Sequence, residues 1–129
     1  MIQTLIHYFL HLGFPLIIAW VFFREDYKRA YLVMLVTMLV DVDHLLASPI
    51  FEADRCSINF HPLHTYAAML LYVGLLFLKK SYRWIGAGLL WHMATDLNDC
   101  VLTYLKCPEC LAGAPALGLV SKLAELIGR

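Results

Sequence analysis

Charge is what this chain has least of. Only 16% of its 129 residues are Asp, Glu, Lys or Arg, against about a quarter in an ordinary soluble domain. Neither sign prevails, since ten basic and ten acidic residues balance to a formal net charge of zero. With no basic surface or arm, nucleic acid is not an expected partner. Internal repeats, low-complexity tracts and Ser/Gly-rich linkers are also missing, so a single domain over residues 1–129 is the natural count. What fills the space is apolar: hydrophobic residues make up 61% and mean hydropathy is +0.69. Such a balance reads as a small integral membrane protein.

Ile2 to Phe23 holds no acidic or basic side chain and is interrupted only by His7 and His11. About 20 such residues cross a bilayer. A cleavable signal peptide would carry a basic region ahead of a shorter apolar run, and neither is present. Three more spans follow, at about 30–47, 62–78 and 84–105. The first two turn at the cluster Arg24-Glu25-Asp26-Tyr27-Lys28-Arg29, the second ends at Ser48-Pro49, and a polar loop from Phe51 to Phe60 leads to the third. Proline disfavours helix in the residue before it but is tolerated in a first turn, as at Pro62. In residues 111–128, Leu117, Val120, Leu123 and Ile127 line one face, as in a helix lying at a membrane interface. The expected fold is all-α: an integral membrane four-helix bundle with a C-terminal amphipathic interfacial helix.

Basic residues orient it. Arg24, Lys28, Arg29, Lys79, Lys80 and Arg83 follow spans one and three, whereas the other side offers Arg55 and Lys106. The positive-inside rule puts both short turns in the cytoplasm and both termini outside.

Inside this apolar frame, Asp41-Val42-Asp43-His44 places two carboxylates and an imidazole within four positions. The plainer reading is a short polar loop between helices. Against it, ionisable groups at membrane depth are costly and default to a functional role, and the other histidines reach the same depth. At about 1.5 Å per helical residue, His7, His11, Asp41, Asp43, His44, His61, His64, His92, Asp96 and Asp99 all fall in one outer-leaflet layer. His7 and His11 are four apart, as are His92 and Asp96, hence on one helix face; Asp41 and His44 are three apart. On a regular helix Asp43 points away from Asp41, so it binds elsewhere or the helix loosens there. Ten buried ionisable groups without a cation would have to neutralise one another. His and Asp without thiolate suit zinc, with iron or manganese as alternatives.

Asp41-Val42-Asp43-His44, His61-Pro62-Leu63-His64-Thr65 and His92-Met93-Ala94-Thr95-Asp96 resemble the signatures of the bacterial membrane-bound metal-dependent hydrolases. These are small inner-membrane proteins similar in ligand pattern to zinc-dependent phospholipase C and P1-type nucleases. The run Arg55 to Tyr66 is most similar to a smaller, uncharacterised bacterial group within that pattern, and the resemblance extends over about Ile6 to Cys100. It departs from the larger family in having Pro62 after the first histidine and Tyr66 in place of a serine, which bears on substrate more than on metal. The resemblance implies metal-assisted hydrolysis in the bacterial inner membrane, with one to three divalent transition-metal ions, zinc first. The metal ligands expected are His7, His11, Asp43, His44, His61, His64, His92 and Asp96. Asp41 is the candidate general base or bridging carboxylate, Asp99 would orient a ligand histidine, and Arg55 would hold a phosphate. The expected partners are membrane lipid and a lipid-like substrate, such as a phospholipid or polyprenyl phosphate, and a homo-oligomer stays open. Two other classes stay open too: a metal or proton transporter, and a non-catalytic protein stapled by a structural metal.

Cys56, Cys100, Cys107 and Cys110 all fall on the outer side, where disulfides persist. Cys56 and Cys100 are one plausible pair. Cys107-Pro108-Glu109-Cys110 reads as a second disulfide, half of a zinc site, or unpaired thiols.

Overall fold

The computed structural model describes residues 2–50, 52 and 54–128. Phe51 and Ala53 of the polar loop lie outside these. Among the described residues every regular element is helical: α1 (Ile2–Tyr8), a π-helical turn (Phe9–Gly13), α2 (Phe14–Phe22), α3 (Tyr27–Val36), α4 (Tyr66–Leu75), α5 (Lys80–Lys106) and α6 (Leu117–Ile127), with short 3₁₀ segments between them. The π turn joins α1 to α2 without a break, and Pro15 falls in the first turn of α2. Ile2–Phe22 is the one described helix long and apolar enough by composition to cross a bilayer, and Tyr66–Leu75 is apolar but shorter.

α5 is the hub, with α1, α3, α4 and α6 all packed on it. Close approach depends on glycine. A Cβ on Gly86 would lie 2.8 Å from the Tyr72 carbonyl oxygen and 2.9 Å from Leu75 Cβ, and one on Gly88 would lie 3.0 Å from Met34 Cα. α5 ends where Cys107 precedes Pro108, because proline turns the preceding residue away from helical dihedrals.

Two segments leave the regular α path where the candidate ligands lie. α3 stops at Val36, and Thr37–Leu46 winds on as a 3₁₀ helix. At the switch the Thr37 hydroxyl donates to the Met34 carbonyl at 2.6 Å, a local bond that competes with the α ladder. The third helix begins later than Pro62. Pro62–His64 is a single 3₁₀ turn, and Thr65, extended and accepting from the Ala68 N–H, caps α4 as such residues do.

The apolar core divides in two. Ala19, Ala30, Met34 and Trp84 close one end of the bundle. Cys56, Ile58, Tyr72, Cys100, Val101, Val120 and Ala124 belong to a larger cluster at the other end. The tail helix therefore contributes to that core: Val120 and Ala124 are buried, while Leu126 and Ile127 stay exposed. Both cysteine pairs are disulfides, Cys56–Cys100 tying the loop to α5 and Cys107–Cys110 closing the turn beyond it. At the opposite end Lys80 pairs with Asp26, and its ammonium holds the Asp26 carboxyl below the usual carboxylate range.

Candidate metal centre

Four separate pieces of chain deliver the ionisable layer. α1 carries His7 and the π turn carries His11; π turns recur at functional sites. The 3₁₀ segment carries Asp41, Asp43 and His44, the Pro62–His64 turn adds His64 beside His61, and α5 presents His92, Asp96 and Asp99. The His61–His64 turn is pinned from three directions: Leu63 N–H donates to Asp43 Oδ2 at 2.8 Å, Tyr72 Oη donates to the Leu63 carbonyl at 2.9 Å, and Asn59 N–H donates to the His64 carbonyl at 2.9 Å. Asn59 does this from the left-handed region, φ 58°, which asparagine tolerates.

His64 Nε2, His92 Nε2, Asp41 Oδ1 and Asp96 Oδ2 converge. His64 Nε2 lies 3.3 Å from His92 Nε2, 3.5 Å from Asp41 Oδ1 and 3.3 Å from Asp96 Oδ2. His92 Nε2 lies 3.1 Å from Asp41 Oδ1 and 3.5 Å from Asp96 Oδ2. A tetrahedral zinc with ligands at about 2.0–2.1 Å separates its donor atoms by roughly 3.3–3.4 Å, and the five separations bracket that value.

With neutral imidazoles, the outer hydrogen bonds assign the tautomers. His11 Nδ1–H donates to the His7 carbonyl at 3.1 Å, which leaves His11 Nε2 to accept from His92 Nδ1–H at 3.1 Å. His92 Nε2 is then a lone pair. His64 Nδ1–H donates to Asp43 Oδ2 at 3.1 Å, so His64 Nε2 is a lone pair too. With both imidazoles neutral and in these tautomers, two lone pairs and two carboxylate oxygens face one point. A cation fits that arrangement, and the His64–Asp43 contact is the carboxylate–histidine pairing that orients a metal ligand. Among the described residues no Lys or Arg pairs with Asp41, Asp43 or Asp96; their ion-pair partners are all histidines.

The loosened helix brings Asp43 inward. His44 Nδ1 lies 3.4 Å from Asp41 Oδ1 and 3.2 Å from Asp43 Oδ1, and His44 Nε2 lies 3.1 Å from Ser57 Oγ. Asp41 therefore stands in the donor set, and Asp43 stands behind His64. His7 pairs with Asp99 at the rim instead of joining the four donors. His61 is also outside them: its ring stacks 3.9 Å from that of His44, and its buried Nε2 has no partner. Burial, then the nearby His44, pushes the His61 imidazole below its ordinary value.

A pocket of about 480 Å³ opens beside the donors, walled by His7, Asp41, His44, Asp54, Arg55, Ser57, Asp96 and Asp99 together with the Cys56–Cys100 disulfide. Asp41 is the exposed member of the donor set, its side chain 48% accessible against 8% for Asp96 and none for His64 and His92. Arg55 reaches the pocket wall, but its guanidinium is bonded to Glu52 at 2.7 Å and to the Pro49 carbonyl at 2.7 Å. Three contributors carry no signal in sequence: Ser57 against His44, Met38 with its sulfur 3.3 Å from His92 Nδ1, and Tyr72 beneath the His64 turn. Each acts through tertiary contact with a ligand-bearing segment.

The N-terminal histidines, the Asp41–His44 segment, the His61–His64 turn and α5 all lie within one family match. The chain belongs to the family DUF6122. It is a family of unknown function, and its match runs over residues 1–103, which leaves the Cys107–Cys110 turn and α6 outside. No curated protein and no solved structure matches the chain.

Proposed function

We propose that this protein is a membrane-embedded, metal-dependent hydrolase that cleaves a lipid-borne phosphoester, a phospholipid or polyprenyl phosphate, from the outer-leaflet side of the bacterial inner membrane. The observation that carries the reading is the convergence of four donor atoms beside an accessible pocket that two of their residues, Asp41 and Asp96, line. His64, His92 and Asp96 are the buried holders of the ion. A zinc-like cation bound there would lower the pKa of a water and polarise a phosphoryl oxygen. Of the four donors Asp41 alone is exposed, so it is the one able to leave its place and accept the proton of the attacking water. A catalytic site keeps one position open where a structural site is closed by four protein ligands.

The membrane reading is supported by the outer surface of the bundle. Leu5, Trp20, Phe22, Leu32, Val36, Leu39, Leu70, Leu71 and Phe77 are all exposed, far more than a water-facing monomer tolerates in contiguous patches. Their natural environment is lipid. At about 1.5 Å per α residue and 2.0 Å per 3₁₀ residue, α3 with its 3₁₀ continuation extends roughly 35 Å, enough for a bilayer core of about 30 Å. Two disulfides lie at the pocket end, which favours the oxidising side. A transporter is less favoured, because the other end of the core is Ala19, Ala30, Met34 and Trp84 and offers no relay onward.

The test is hydrolysis by the full chain in lipid nanodiscs, loaded with zinc, against phosphoester and acyl-ester lipids. Turnover of a phosphoester lipid that disappears in Asp96→Asn is expected. A zinc-loaded wild type inert toward all of them would remove the hydrolase reading and leave a structural metal.

A further inference from the structure

Asp43 Oδ1 and His44 Nδ1 are buried polar atoms 3.2 Å apart, yet each is without a hydrogen-bond partner. That combination is unusual. At this separation an N–H aimed at a carboxylate would form a strong bond, so the two atoms point at a third place instead of at each other. Leaving them so forfeits the hydrogen bonds each group makes with water in the unfolded chain. Asp43 is 3% exposed and has only one oxygen engaged, Oδ2, which serves Leu63 N–H and His64 Nδ1–H. His44 has its Nε2 toward the Ser57 hydroxyl at 3.1 Å. Donation from Nε2 to Ser57 makes Nδ1 a lone pair, directed among the oxygens of Asp43 and Asp41 at 3.2 and 3.4 Å. A lone pair facing two carboxylates is repulsive; a proton on Nδ1 or a cation between them reverses the sign, and because Nδ1 makes no hydrogen bond to either carboxylate the geometry fits the cation better.

We propose that a second divalent transition-metal ion binds here, on Asp43 Oδ1 and His44 Nδ1, with the Asp41 carboxylate lying between it and the ion on His64, His92 and Asp96. Asp41 Oδ1 is the atom common to both neighbourhoods, 3.1 Å from His92 Nε2 on one side and 3.4 Å from His44 Nδ1 on the other. Charge agrees with geometry. One dication offsets two of the three carboxylates Asp41, Asp43 and Asp96, and no Lys or Arg among the described residues pairs with the third. The ligand chemistry is mixed imidazole and carboxylate, which suits zinc, manganese or iron. Its use in catalysis rests on the hydrolase reading, where paired ions about 3.5–4 Å apart clamp the attacking and leaving oxygens of an in-line displacement.

The test is metal counting on the full chain in detergent, titrated with zinc after chelation and desalting, with elemental analysis as the readout. Two equivalents are expected in the wild type and one in His44→Ala. Ser57→Ala, which leaves both ligands in place, is expected to retain two equivalents while weakening the second about 10- to 100-fold. In parallel, the wild type loaded with two equivalents of manganese should give the broadened resonance of a spin-coupled pair. One equivalent at saturation, two equivalents surviving in His44→Ala, or two magnetically isolated manganese ions would each overturn the proposal. A protein that binds one ion and still hydrolyses lipid refutes the second site alone. One that binds two coupled ions and hydrolyses nothing upholds the site and refutes the hydrolase.

Discussion

Removing the Cys56–Cys100 disulfide should loosen the metal centre without touching a ligand. The bond joins the segment that carries Ser57, His61 and His64 to the helix that carries His92 and Asp96, across a sequence separation of 44. In the chain-entropy account, closing a loop of that length removes about 13 cal/mol/K from the unfolded ensemble, or about 4 kcal/mol at 25 °C. Helices that stay in the membrane or in detergent restrict that ensemble, so a loss of about 2–4 kcal/mol is the expected range. If opening the loop detaches His64 from the other donors, zinc must restore that order on binding. Its affinity then falls by up to the same free energy, about 30- to 700-fold. Cys56→Ala/Cys100→Ala is the right variant, because both sulfurs are buried and free thiols would themselves bind zinc. Cys107→Ala/Cys110→Ala, closing a separation of only 3 beyond the ligand-bearing part of α5, is the control and should leave zinc affinity unchanged. The assay is competition with a fluorescent zinc chelator beside thermal unfolding in the same detergent. Equal zinc affinity in wild type and Cys56→Ala/Cys100→Ala would refute the idea that this bond holds the His64 turn against α5.

Other outcomes follow from single contacts. Asp41→Asn should keep at least one metal equivalent on His64, His92 and Asp96 while hydrolysis falls by about 10²–10⁴, the usual loss of a general base; loss of the central ion as complete as in Asp96→Asn would make Asp41 a fixed fourth ligand. Gly86→Ala should destabilise the bundle by about 1–3 kcal/mol through overpacking against the Tyr72 carbonyl. Gly74→Ala, with nothing within 4 Å of the added carbon, should be neutral or stabilise by up to about 1 kcal/mol, and unfolding in detergent compares the two. Thiol labelling of Asp54→Cys and Ser81→Cys should find position 54 accessible from outside and position 81 from inside; the reverse would move the pocket to the cytoplasmic face.

Much of the centre was legible because depth and period are one-dimensional. A helical rise of about 1.5 Å per residue turns sequence position into height along a bundle, so the shared level of the histidines and aspartates could be read along the chain, as could the apolar helices that carry it. The His92–Asp96 pairing followed from a four-residue step on one face. The same rule gave Asp41 as base or bridging carboxylate and Asp43 as a ligand, and folding puts Asp41 Oδ1 among the four converging donors and Asp43 Oδ2 behind His64. The rule assumes α winding, and the Thr37 hydroxyl bond opens a 3₁₀ segment that no periodicity announces. That change of pitch carries Asp41 toward His92 on α5 and sets Asp43 behind His64, from a turn 21 residues away. Likewise His7, His11 and His61 share the layer but miss the donor set, because a layer fixes height and says nothing of angle around the bundle. Composition and spacing determined that ionisable groups would meet in an apolar bundle. Which nitrogen stays bare, and which carboxylate faces the pocket, depends on hydrogen bonds between segments far apart in the chain, and only the tertiary fold could decide it.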